Sequence, residues 1–163
     1  MQNVFLVANF SKTKKFVAGE VVEMVADIAV NYVAVVVAAV VAFLIGWAWH
    51  SPLLFGKMWM ELSGMTEKKM KSMPKDAMMK SMVGGFITTL ISAYVLAHFV
   101  GYTQATTAVA GAMTGFWAWL GFTATVQMGG VLWEGKPFKL FLIGAGHTLV
   151  GMLVMGAILA SWA

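Results

Sequence analysis

The chain has 163 residues, 60% hydrophobic and only 11% charged, with a net charge of +4 and no cysteine. Soluble domains carry about 25% charged residues, so a soluble globular protein is excluded and lipid must be part of the solvent. Disulfides and thiolate metal sites are excluded too. Every basic residue is a lysine, clustered beside apolar runs, a pattern that orients a protein in a membrane rather than binding nucleic acid.

Residues 1–25 read as an N-terminal extension ahead of a membrane domain over 26–163. MQNVFLVANF is apolar, SKTKK is basic, and Gly19 to Asp27 is acidic. A secretory signal has its charge before its apolar stretch, which is the reverse of this order. The stretch reads either as a frayed or interfacial amphipathic segment or as 23 residues upstream of a true start at Met24.

Four spans follow, giving an all-α, four-helix transmembrane bundle. The first runs from about Asn31 to Trp49, and its middle, VAVVVAAVVAFLIG, has no polar residue. Ala34, Ala38, Ala42 and Gly46 recur every four residues, a smooth face of the kind that lets helices approach closely in lipid. His50-Ser51-Pro52 ends it, because Pro52 removes a backbone donor and disfavours helix at Ser51. Trp47, Trp49, Phe55 and Trp59 form an aromatic belt at headgroup level. Leu53 to Leu62 is expected to lie as a short interfacial helix. A lysine-rich segment follows, in which Thr66 is a candidate helix cap.

The second span runs from about Met78 to Gly101, with Gly84, Thr88 and Ser92 as another small face and His98 near its far end. An uncharged connection leads to the third, about Ala105 to Gly129, with a GxxxG match at Gly111 and Gly115. Gly115→Leu is expected to disrupt packing there and Gly115→Ala to be mild. The loop LWEGKPFK precedes the fourth span, about Phe138 to Trp162. Loops one and three hold all the lysines after the extension, so they are expected to be cytoplasmic in a cell (inner) membrane, with both termini external.

Candidate functional residues fall in two groups. At the cytoplasmic rim stand His50, Ser51, Pro52, Trp59, Trp133 and Glu134. Glu134 is expected to lie beside loop one, bonded to His50, Ser51 or a backbone amide, because an unpaired carboxylate at a span end would be costly; Lys136, Lys139 and Lys57 are further partners. Inside the membrane stand Thr123, Gln127 and His147, the last about nine residues into its span. With a rise of about 1.5 Å per residue, His147 is expected to lie roughly 13 Å deeper than His50. His98 belongs near the opposite edge, so the histidines are not expected to share a metal ion. No cofactor motif, Ser-His-Asp order or phosphate loop is present.

GWAWHSPLLFGKMWMELSG, GFWAWLGFTAT and WEGKPFKLFLIGAG together resemble the prokaryotic integral-membrane family catalogued as domain of unknown function 1761, over about Ala26 to Ala163. Trp49, Ser51, Pro52, Phe55, Gly56 and Trp59 carry its most specific pattern; members commonly have tyrosine at the position of His50. The resemblance implies four spans and no established activity. The expected function is a structural or accessory membrane protein, self-associating or part of a larger assembly. The alternatives are a small transporter or channel, and a membrane enzyme acting on a lipid or quinone at the rim.

Overall fold

A computed structural model describes residues 28–162, all of whose regular structure is helical. The expectations for residues 1–25 and for Met24 lie outside the described residues. Helix α1 (Tyr32–Trp49) is capped by Asn31, whose side-chain oxygen accepts from the amides of Val33 and Ala34. The same side chain donates to the Trp162 carbonyl at 3.1 Å, holding the start of the first span level with the end of the last. Helix α2 (Gly56–Ser63) ends at Gly64, whose φ of 69° is the left-handed conformation that glycine adopts at helix ends. Thr66 caps α3 (Glu67–Lys71) by accepting from the Lys69 amide at 3.2 Å, as its sequence context suggested.

Helix α4 (Lys75–Tyr102) begins directly after Pro74, where the ring's fixed φ suits a helix start. The third span is composite: α5 (Ala108–Ala118), a wider π-helical segment π1 (Trp119–Ala124), and α6 (Thr125–Leu132). Gly135, with φ of 66°, makes the turn to Pro137 and helix α7 (Phe138–Ser161). The spans α1, α4, α5–π1–α6 and α7 are each long and apolar enough to cross a membrane, which makes this a multi-pass membrane protein.

Small residues make the core. Ala34, Ala38, Ala42, Ala93 and Ala160 are buried, and Leu96 is the one large side chain fully buried among the described residues. Large apolar residues point outward instead: Val33, Leu44, Val109, Phe122 and Val126 are all exposed. Lipid solvates such side chains as well as a protein core would, so the bundle gains more from close backbone contact than from burying bulk. The four-residue face on α1 is therefore used inside the chain.

The GxxxG face is used the same way. Gly111 lies against the Gly156 backbone and Gly115 against the Met152 carbonyl, both on α7. A methyl group on Gly115 would overlap that carbonyl, so the expectation that Gly115→Ala is mild is overturned. The face on α4 behaves differently: a methyl on Gly84 would meet nothing within 4 Å, and Thr88 and Ser92 are exposed.

Candidate functional site

The turn after α1 explains its own sequence. The Ser51 carbonyl accepts from the amides of Leu54 and Gly56 at 3.1 and 3.0 Å, and the Trp49 carbonyl accepts from Phe55 at 3.0 Å. This folds the chain so tightly that a Cβ on Gly56 would run into the carbonyls of His50 and Ser51. Trp49 and Phe55 then pack with ring centroids 4.7 Å apart, and Trp59 meets His50 edge-on at 5.7 Å. The indole N–H of Trp49 donates to the Ile143 carbonyl of α7 at 3.0 Å. Trp49, Ser51, Phe55, Gly56 and Trp59 thus form one device that returns α2 beneath the bundle and onto α7.

His50 and His147 are not separated in depth as the sequence suggested. Their rings meet edge to face, with centroids 5.1 Å apart. The reason is unequal span length. With the ends of α1 and α7 level at Asn31 and Trp162, the 18 residues of α1 fall six short of the 24 of α7. At about 1.5 Å per residue, α1 stops roughly 9 Å before α7 does. Side chains also lean toward the N-terminus of their helix, so in these antiparallel helices the two rings lean toward each other. The Gly46 carbonyl accepts from His50 Nδ1 at 2.9 Å, which places that ring's proton on Nδ1 and leaves a lone pair on Nε2 in the neutral form. No third metal-ligating side chain joins the pair among the described residues. His98 stays on the far part of α4, bonded to the Tyr94 carbonyl at 3.0 Å.

His147 opens onto a cavity of about 280 Å³ between α1, α4, π1 and α7, lined also by Thr88, Thr89, Ser92, Thr123 and Gly151. Neither ring nitrogen of His147 has a hydrogen-bond partner among the described residues, yet no buried side-chain nitrogen or oxygen there lacks one; the nitrogens therefore keep accessible surface. Gly151 is buried, but a methyl group on it would meet nothing within 4 Å. It faces the void. Thr88 and Thr123 share the cavity with His147 and bond elsewhere: Thr88 to the Gly85 carbonyl, Thr123 to the Met152 sulfur.

The wall beside the cavity is a polar knot. Thr148 accepts from the indole N–H of Trp119 at 3.2 Å and from the Gln127 amide at 3.3 Å. Trp119 also donates to the Ala145 carbonyl at 3.0 Å. Gln127 is thereby a structural neighbour of the cavity, while Thr123 and His147 line it. π1 is what sequence reasoning missed. It spans Trp119 to Ala124, with Trp119 bonding α7 and Thr123 at the cavity. π segments of this kind are frequent at functional sites.

Trp133 and Glu134 leave the rim group. Glu134 pairs with Lys136 at 2.7 Å, both side chains largely exposed, and Trp133 is 88% exposed. The expected bond from Glu134 to loop one does not form, because the Gly135 turn brings Lys136 within reach first. Among Lys136, Lys139 and Lys57, it is Lys136 that holds it. Pro52 is exposed and serves the turn.

The fold and its outward-facing apolar surface thus define a small four-span membrane protein with a cavity between its helices, lined in part by His147 and several hydroxyls. The chain belongs to the family described as "Protein of unknown function (DUF1761)", which it matches over residues 33–160. No curated protein and no solved structure matches it.

Proposed function

We propose that this is a non-enzymatic accessory protein of the cytoplasmic membrane whose working part is the cavity at His147, where it holds a small molecule. The observation that carries this reading is His147 itself. It is an imidazole well inside a span, open to a cavity and unmatched by any hydrogen bond among the described residues. Ionisable residues at such depth are costly and are functional candidates by default.

The other readings have less support. The rim enzyme relied on Glu134, which is tied to Lys136 at the surface. Among the described residues no carboxylate, lysine or cysteine lines the cavity to work with the histidine. Transport calls for polar groups along one continuous path, whereas the groove beyond the cavity is lined mainly by Phe99, Trp117 and Phe122. Self-association was expected from the number of smooth faces, and those of α1 and the third span are filled within one chain. The lysine-rich loops one and three are assigned to the cytoplasm and both termini to the outside.

Native mass spectrometry of protein released gently from membranes tests the cavity. A co-purified small molecule is expected on the wild type and is expected to be lost from Gly151→Leu, whose first added carbon meets nothing within 4 Å and whose branch then occupies the void. An adduct equally abundant on both, or absent from the wild type, would sink the reading.

A further inference from the structure

The crevice between the second and third spans has two unlike halves. On the inner half is the polar cavity, bordered by Thr88, Thr89 and Ser92 of α4 and Thr123 of π1. Farther out is an apolar groove of about 380 Å³, walled chiefly by Phe99, Tyr102, Met113, Trp117, Ala118 and Phe122. Both lie between α4 and the third span, and Phe99 of the groove stands seven residues, about two turns, beyond Ser92 of the cavity on α4. Trp117 and Phe122 are 62% and 71% exposed, so the groove lies on the lipid-facing surface. Of its three hydroxyls, those of Thr103 and Thr114 bond each other at 3.0 Å, and Tyr102 stands exposed at the groove's edge.

Charge and hydrogen-bond balance narrow what fits. Among the described residues no charged side chain lines either half, so a phosphate or ammonium head would enter without compensation from them. Thr88 and Thr89 donate to the Gly85 carbonyl, and Ser92 donates to the Thr88 carbonyl. Their protons are committed, so their oxygens can only accept. His147 adds one donor and one acceptor in its neutral form. The cavity therefore offers several acceptors against a single donor. That balance favours a head that donates, a hydroxyl, over one that only accepts, such as a quinone carbonyl or an ether.

We infer that this crevice is a lateral binding site for a neutral, hydroxyl-headed lipid with a long apolar tail. The head lies at His147 and the tail along the Phe99–Phe122–Trp117 groove. Long-chain prenols and quinols belong to this class. The inference rests on the cavity reading above and adds to it a route of entry and a chemical class. Phe99 and Phe122 stack across the crevice at 6.2 Å, and a tail would run alongside that pair.

The test titrates nanodisc-embedded wild-type protein with three probes, read by native mass spectrometry: geranylgeraniol, its methyl ether, and the short-tailed geraniol. Geranylgeraniol is expected to bind. The ether is expected to bind about tenfold more weakly, the scale of one lost hydrogen bond, and geraniol weaker still. Trp117→Ala, a change on the exposed face farther along the groove, is expected to weaken geranylgeraniol more than geraniol. If the ether matches the alcohol, or if nothing binds the wild type, the hydroxyl-lipid assignment is wrong. If geraniol matches geranylgeraniol while Gly151→Leu abolishes both, the groove is wrong and the cavity stands. If Gly151→Leu, folded by circular dichroism, binds all three as the wild type does, the cavity reading fails as well.

Discussion

At the scale of single residues, position in the sequence and position in space part company most clearly at Glu134 and Gly56. Glu134 looked like a buried acid in want of a partner and is a solvated one held by Lys136. Exposed pairs of this kind contribute little, since water screens both charges. Glu134→Gln and Glu134→Leu are therefore both expected to change stability by less than about 0.5 kcal/mol, measured by thermal unfolding in detergent; a larger loss for leucine would restore a structural role for the carboxylate. Gly56 is the opposite case, marked in the sequence only as one position of the Trp49–Trp59 pattern and found in the fold to have no room for a methyl group. Gly56→Ala must push apart the carbonyls of His50 and Ser51. It is expected to cost about 1–3 kcal/mol, the usual penalty for overpacking, and to free α2 from α7, seen as faster proteolysis within loop one.

At the scale of elements, the ends of the four spans were legible because apolar runs, prolines and lysines mark them plainly. Pro74 and Pro137 start helices, Asn31 and Thr66 cap them, and the Pro52 turn stops one. The π segment was not legible. WLGFTA carries no local mark of a wider turn, and the segment's side chains answer to α7: Trp119 bonds Ala145 and Thr148. Depth was misjudged for a similar reason. A sequence gives the length of each span but not how the ends align, and the Asn31–Trp162 bond that sets the alignment joins opposite ends of the chain. The GxxxG match was read correctly as a packing face, but its partner, α7 of the same chain, comes from the fold. Gly115→Ala and Gly151→Ala separate close packing from open space on the same helix pair. The first is expected to lose about 1–3 kcal/mol by overpacking. The second is expected to be neutral or to gain up to about 1 kcal/mol, since alanine favours helix over glycine. Equal effects would mean that the void at Gly151 is closed in the membrane.

At the scale of the whole molecule, the charge distribution makes a prediction that needs no ligand. The chain has no cysteine, so Lys71→Cys supplies a single labelling site in exposed α3. It is expected to react with a membrane-impermeant maleimide only after inverted vesicles are made or the cell is opened, and a reporter joined after Ala163 is expected on the outer side. Labelling of intact cells at position 71 would invert the orientation.

The short first span has a consequence for the bilayer itself. At about 27 Å, α1 is a little shorter than the roughly 30 Å hydrocarbon layer. Because its end is fixed level with that of α7 at Asn31, the whole shortfall lies on the lysine-bearing side. A leaflet thinned on that side would bring its headgroups nearer to α2 and the Trp59 ring. His50, whose ring meets that of His147, stands at that end of α1.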